Sequence, residues 1–413
     1  MLEKFILKDD KLLMNKPSDS SIFARKALPF LILIFVLAIL LRSLFVFVTG
    51  TQDFLEGDGG NYYTMIQQLA QDHVYSYGSE DPNSRVTPGF PIFAYIVLSV
   101  SSFNIDLYKW VQILIGAATI LPVYYFIKAN TRAVYGLIGA LFVALYPPFI
   151  YMTGLFLTET LFVFLLALFF ASWQRMWNKP SLWNIILNAA LLSWGILTRP
   201  GMLPIIFIAA LFLVLSKSKR RILFPYLLTV AVCFLPWVLR NYIVLHEFTI
   251  LAAGSGNALL AGAFPYFKES ANYTEMYALG LSQSQYGMRV ILNGLSDQFF
   301  YYLGWFSYGK LYYLFSNMWV SSSLNFPKLY VYGGVLLHYG ITACSIPALL
   351  YLLIKKNFMA FCFTGMLLFQ LLFIPTARYG APFFILTVMS VGLAAYSLQK
   401  GTKQVVTLKK MTD

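Results

Sequence analysis

Residues 27–49 read ALPFLILIFVLAILLRSLFVFVT, and a single charge, Arg42, interrupts the run. Wound as an α-helix at 1.5 Å per residue, such a run is long enough to cross the hydrocarbon core of a bilayer, which takes about 20 residues. In lipid the backbone has no water to bond to. A helix meets that demand internally, so a run of this kind predicts a transmembrane helix.

The rest of the 413 residues repeats the pattern, with 59% hydrophobic and only 11% charged residues. A soluble domain carries about a quarter charged residues. Further apolar segments lie at 107–127, 133–149, 156–177, 183–198, 201–216, 222–240, 329–354, 358–375 and 379–398. The reading is an all-α polytopic membrane protein of about ten transmembrane helices. The first 26 residues are polar and mixed in charge, with no cleavable signal peptide evident. Cys233, Cys344 and Cys362 lie in or beside apolar runs, with no spacing that suggests zinc or a disulfide framework. They read as small apolar core residues.

The net charge of +13 invites a nucleic-acid reading, but its distribution argues otherwise. With ten spans, the basic connections fall on one side: Lys128 with Arg132, Arg175 with Lys179, SKSKRR at 216–221, and Lys355 with Lys356. The N-terminal tail, 1–26, and the C-terminal tail, 399–413, join them. Together they hold 20 of the 30 Lys and Arg. The positive-inside rule makes that side cytoplasmic. Twelve of the seventeen acids, from Asp53 to Asp297, fall on the other. No nucleic-acid partner is therefore expected, and the domain 27–398 is expected in the cell membrane with both termini cytoplasmic.

Two outer segments are long, about 50–106 and 241–328, and long loops in compact proteins are usually functional. The segments 88–103 and 299–315 are apolar or aromatic but short or interrupted. Both fit an interfacial or re-entrant placement better than a span. Residues 56–73, EGDGGNYYTMIQQLAQDH, place Tyr62, Met65, Ile66, Leu69 and His73 at helical spacing, with Gln67, Gln68, Gln71 and Asp72 opposite. That predicts a short amphipathic helix at 61–73 on the outer surface, with His73 as an interfacial anchor. Asp58 at its start reads either as an N-cap or as a catalytic carboxylate.

Ionisable residues near the bilayer are costly and so are functional candidates. The outer half carries Arg85, Arg199 in LTRPG, Arg240 in PWVLRN, Arg378 in PTARYG, and Glu159 in LTET. Guanidinium forks match phosphate oxygens, so a lipid phosphate at headgroup level is one ligand for them. Headgroup snorkelling, or an internal pair of an arginine with Glu159, is the other reading. Arg42, near the outer end of the first span, reads as a snorkelling residue.

With these residues in view, the sequence resembles the GT-C fold glycosyltransferases. The branch is the bacterial one near the protein O-mannosyltransferases and lipid A aminoarabinose transferases, glycosyltransferase family 39. EGDGGNYY (56–63) is similar to the family's acidic motif, and RVTPGFPIF (85–93) to its R-x-P-G-Y-P segment. YPPFIYMTGLFLTETLF (146–162), LLSWGILTRPGMLPI (191–205), FLPWVLRNYIVLHEF (234–248) and ARYGAPFFILTVM (377–389) follow in order. Gly59 stands where the family often has a second acid, and the chain has no sizeable C-terminal soluble domain.

The resemblance implies an extracytoplasmic, inverting transfer of a hexose or pentose from a polyprenyl-phosphate-linked donor to a cell-envelope acceptor: lipid, glycopolymer or protein. Asp58 would be the general base, with Glu56 beside it. Arg85, Arg199, Arg240 and Arg378 would bind the donor phosphate. Tyr62, Glu159, Asn241, Lys310 and Tyr379 would line the pocket. A divalent metal at Glu56 and Asp58 stays open. A non-enzymatic transporter or flippase of lipid-linked intermediates, and a glycan polymerase or ligase, are the competing readings.

Overall fold

A computed structural model describes residues 22–49, 54–321 and 328–412. Among the described residues there is no strand, and the chain is a bundle of α-helices. Among the described residues six helices are long and apolar enough to cross a membrane: Ala27–Val48, Ile105–Asn130, Glu159–Asn178, Arg220–Leu245, Tyr330–Ile354 and Phe383–Lys400. Ala133–Leu145 and Pro147–Gly154 make a seventh if counted together, bent by 60°. The expected count of ten is not confirmed. Leu182–Thr198, Pro200–Leu215 and Phe358–Gln370 are apolar helices of 10–17 residues, shorter than a full crossing needs. Local chemistry cuts them short. Pro200 follows Arg199 at the end of the first. Asn357 caps the start of the last, its Oδ1 accepting from the Met359 backbone N–H at 3.0 Å.

The basic connections gather at one end of the bundle. Lys219 Nζ donates to the Trp177 carbonyl at 2.7 Å. Phe358 stacks on Trp173 at 3.9 Å between centroids. Tyr135 donates to Gln399 Oε1 at 3.0 Å, and the Arg132 guanidinium lies 5.8 Å over the Tyr396 ring. Glu159 begins the helix that ends at Asn178, a length of about 30 Å by helical rise. Glu159, Arg199 and Arg378 therefore lie at the opposite end from Arg175, Lys179 and Lys219.

Arg42 corrects the snorkelling expectation. It is fully buried, and its guanidinium donates to the carbonyls of Val143 at 3.0 Å, Ala144 at 3.5 Å and Ala38 at 3.3 Å. In a helix the carbonyls of 143 and 144 would accept from the N–H groups of 147 and 148. Both positions are proline and have no N–H. Arg42 thus satisfies the carbonyls that Pro147 and Pro148 leave orphaned at the 60° bend. Tyr330 does the same for the next carbonyl, donating to Leu145 O at 3.0 Å.

The two long segments expected outside, 50–106 and 241–328, also fold into helices over their described residues. Asp58–Gln71 and Gly89–Val100 lie in the first. Met65 and Ile66 of the former are buried, and Tyr62 and Leu69 half-buried. His73 lies beyond the helix end, exposed at φ 59°. The second holds Ser255–Ala263, Tyr273–Ala278 and Gln283–Asp297 around a small core of Leu260, Phe264, Met276, Tyr286 and Ile291. Residues 299–315 follow as Phe299–Gly304, a π-turn Trp305–Gly309 and Lys310–Phe315; neither they nor Gly89–Val100 are among the long apolar helices.

Candidate active site

The helix Asp58–Gln71 starts after Gly57, which caps it at φ 56°, a left-handed conformation that suits glycine. Asp58 is therefore the first helical residue and not the cap, and its carboxylate is turned to other partners. Oδ2 pairs with Arg378 Nη1 at 2.6 Å, and Oδ1 accepts from the Tyr77 hydroxyl at 3.1 Å. A carboxylate at this position also sits favourably in the field of the helix N-terminus.

Glu159 is the second acid. It begins its helix fully buried, and Oε1 is shared by two guanidiniums: Arg199 Nη1 at 2.7 Å, and Arg378 Nε in a close ion pair. Thr158 Oγ1 donates to Oε2 at 3.3 Å. Arg199 stands at the end of the Leu182–Thr198 helix, fixed there by the Pro200 turn, with its guanidinium 5.0 Å over the Tyr379 ring. Arg378 sits in the short helix Ala377–Gly380.

The result is a four-residue chain, Asp58–Arg378–Glu159–Arg199, with two negative and two positive charges. It has a dry end and an open end. The Glu159 side chain is 0% exposed, whereas those of Arg378 and Asp58 are 26% and 48% exposed. Burial by itself would lower the Arg378 guanidinium, but Glu159 and Asp58 outweigh it and raise it. Burial and then the Asp58 charge raise the Tyr77 phenol, which keeps it protonated as a donor. Tyr62 packs its ring against Tyr77 at 4.9 Å and Phe90 at 5.0 Å.

The remaining expected residues are not in this chain of contacts. Arg240 spends its guanidinium on the carbonyls of Asn83 and Tyr75, both at 2.9 Å, and on Asn241 Oδ1 at 3.0 Å. Asn241 is buried and donates to Thr249 O at 3.0 Å. Arg85 donates to the carbonyls of Tyr77 and Gly78, both at 3.2 Å, and is itself exposed. These two arginines therefore brace the loop that carries Tyr77. Glu56 lies on the exposed turn before the helix. Lys310 is buried elsewhere, against the carbonyls of Leu371 and Phe373.

A family model described as dolichyl-phosphate-mannose-protein mannosyltransferase matches residues 85–240, beginning after Asp58. No curated protein matches the sequence. The archaeal oligosaccharyltransferase AglB from Archaeoglobus fulgidus, solved with an inhibitory peptide and a dolichol-phosphate, superposes with a TM-score of 0.54 at 15% identity. The match covers 95% of this chain and 52% of that one. The chain has a GT-C fold, resembling that of the protein O-mannosyltransferases. The apo form of the A. fulgidus oligosaccharyltransferase gives 0.52 at 14% identity, over 92% and 52% of the two chains. The chain thus spans about half the length of the oligosaccharyltransferases it matches. ArnT from Cupriavidus metallidurans, in the apo state, gives 0.42 at 11% identity, over 90% and 78%.

The Asp58–Arg378–Glu159–Arg199 cluster offers a poor donor set for a divalent ion. Such ions take about six oxygen ligands, commonly several carboxylates. Here both Asp58 oxygens are engaged, by Arg378 and Tyr77, and Glu159 is taken by two arginines. Among the described residues no three His, Cys, Asp or Glu side chains gather as a metal site would require. The residue that sequence reasoning missed is Tyr77. Its one signal was its place between two outer-segment motifs, after Asp58 and before Arg85.

Proposed function

We propose that this protein transfers a sugar from a polyprenyl-phosphate-linked donor to a cell-envelope acceptor, on the extracytoplasmic face of the cell membrane. One observation carries the reading: a half-exposed carboxylate, Asp58, is fastened to an arginine, Arg378, that also reaches a buried acid. Acid and cation stand side by side at the end of the bundle away from the basic connections. A base for the attacking hydroxyl and a cation for the departing phosphate are the two groups that this reaction needs. The A. fulgidus structure with a dolichol-phosphate supports a lipid phosphate as the donor class.

In the reaction, Asp58 takes the proton of the acceptor hydroxyl as its oxygen attacks the anomeric carbon. The bond from that carbon to the phosphate oxygen breaks on the opposite face, which inverts the centre. The phosphate leaves with the electron pair and needs cations, not a proton. Arg378 and Arg199 supply them, and Arg85 stands nearby on the Tyr77 loop. Arrival of the phosphate competes with Asp58 for Arg378 Nη1 and so frees the base when the donor is in place. Arg240 acts by holding the loop. No step runs through a metal.

The test uses purified protein in lipid nanodiscs and polyprenyl-linked sugars extracted from the host. Wild type is expected to consume one of these donors, and Asp58→Asn to lower the rate by about 100-fold or more while keeping the same melting behaviour. Normal activity in Asp58→Asn would remove the base assignment. Movement of lipid-linked sugar across a bilayer without any transfer would replace the enzyme with a flippase, and a product bearing many sugars would indicate a polymerase.

A further inference from the structure

Arg378 is delivered by a strap, 371–376, that has no regular structure of its own. The second outer segment grips this strap at several points. Lys310 Nζ donates to Leu371 O at 2.7 Å and Phe373 O at 3.1 Å, with Lys310 fully buried and its ammonium 3.9 Å from the Phe306 ring centroid. The Ile374 N–H donates to Ala258 O at 2.9 Å. A Cβ at Gly262 would come within 2.6 Å of Phe373 O, so the Ser255–Ala263 helix lies directly on the strap. Trp305 Nε1 donates to Gly262 O at 2.9 Å and ties that helix to the turn before Lys310. One turn beyond Lys310, the Leu314 carbonyl abuts Gly380, where no Cβ would fit.

Burying a lysine is costly, and here both of its partners are backbone carbonyls. Those carbonyls lie just past the end of the Phe358–Gln370 helix, where a cation is favoured and where the last C=O groups lack helical partners. The strap bends here and offers two carbonyls to one point. Nζ carries two N–H donors as an amine and three as an ammonium, so it satisfies both carbonyls in either form, which no apolar residue does.

We propose that Lys310 is a positioning residue that fixes the 371–376 strap so that Arg378 meets Asp58 and Glu159, and thereby couples the second outer segment to phosphate binding. The coupling clause rests on the donor-phosphate reading of Arg378; the positioning clause does not. The two are tested separately on full-length protein in nanodiscs, with Lys310→Met, Lys310→Arg and Arg378→Gln. Hydrogen exchange reads positioning. In Lys310→Met, exchange across 371–381 is expected to rise about tenfold or more, while the 159–178 helix stays as in wild type. Lys310→Arg, which restores N–H donors, is expected to bring it back.

Binding of undecaprenyl phosphate reads coupling. Lys310→Met is expected to bind it about tenfold more weakly, the worth of one displaced charge-assisted contact, with recovery in Lys310→Arg. Unchanged exchange at 371–381 overturns the positioning role whatever the lipid does. Faster exchange with wild-type affinity in Lys310→Met, while Arg378→Gln binds weakly, overturns the coupling. Wild-type affinity in Arg378→Gln removes the donor-phosphate reading and the coupling with it, and exchange still decides the positioning. If Lys310→Met does not fold, shown by fast exchange at 159–178 as well, Lys310→Gln is measured in its place. Unchanged exchange at 371–381 in that variant overturns the role equally.

Discussion

Asp58 has two oxygens and two dissimilar partners, and the difference is testable. Arg378 supplies charge, whereas Tyr77 supplies a neutral donor that burial keeps protonated. Tyr77→Phe removes the hydroxyl and keeps the ring packed on Tyr62. A hydrogen bond to a charged group contributes about 1.5–3 kcal/mol. Donor consumption is therefore expected to fall by about tenfold or more, with unchanged melting, because the base loses its orientation. Equal rates in Tyr77→Phe and wild type would make that contact incidental. Glu159, Arg199 and Arg378 stood out in the sequence because a charge beside lipid is costly, whereas Asp58 stood out as more than a cap only through the motif resemblance; the structure brings the four into contact. Tyr77 did not stand out: in a chain with 18% aromatic residues, one more tyrosine in a polar loop carries no contrast. The same sequence logic grouped Arg85 and Arg240 with the phosphate binders, since it sees side and charge but not that backbone carbonyls of residues 75–83 occupy their guanidiniums.

The bend after Ala133–Leu145 is held by a residue about a hundred positions earlier, and that coupling predicts a double-mutant cycle. Arg42→Met leaves the Val143 and Ala144 carbonyls without their donors, at about 1–3 kcal/mol for each buried group. With alanine at 147 and 148, those carbonyls regain helical N–H partners, so Arg42→Met is expected to cost clearly less there. Equal losses of melting temperature in both backgrounds would refute the account. Sequence placed both the helix and the prolines, but only a fold brings Arg42 to them, which is why distance from the span end misled. The grip on the 371–376 strap has a pH signature. Burial lowers the Lys310 ammonium from 10.5 to about 7. Between those values the unfolded chain binds the extra proton, so stability rises as pH climbs through that window. Lys310→Met lacks the group and should lack that rise. Melting in detergent at about pH 6.5 and about pH 9.5 checks it, and matching slopes in the two proteins would argue against a buried, depressed lysine.

Taken as a molecule, the chain is polar at its two ends in opposite senses. Lys219, Arg132 and Arg175 gather at one end, and the Asp58–Arg378–Glu159–Arg199 chain lies at the other, about 30 Å away. A polyprenyl phosphate keeps its phosphate at headgroup level, so under the proposed function a site at the end of the bundle would meet its donor without drawing a charge into hydrocarbon. By the positive-inside rule the acid end is expected on the outside. Two positions separate the ends without touching the site: Ser218 in the basic connection and Ser270 in the second outer segment, both exposed. Single cysteines there, in a chain whose Cys233, Cys344 and Cys362 are replaced by alanine, report orientation directly. A membrane-impermeant maleimide added to intact cells is expected to label Ser270→Cys at once and Ser218→Cys only after permeabilisation. The opposite pattern would put the acid chain on the cytoplasmic face and overturn the extracytoplasmic reading. Labelling of both in intact cells would place the SKSKRR connection and residue 270 on the same side, against the contacts that hold the two ends apart: Arg199 with Glu159 at the start of the Glu159–Asn178 helix, and Lys219 with Trp177 at its end, so that Leu182–Thr198 and Pro200–Leu215, although short, each run the length of the bundle.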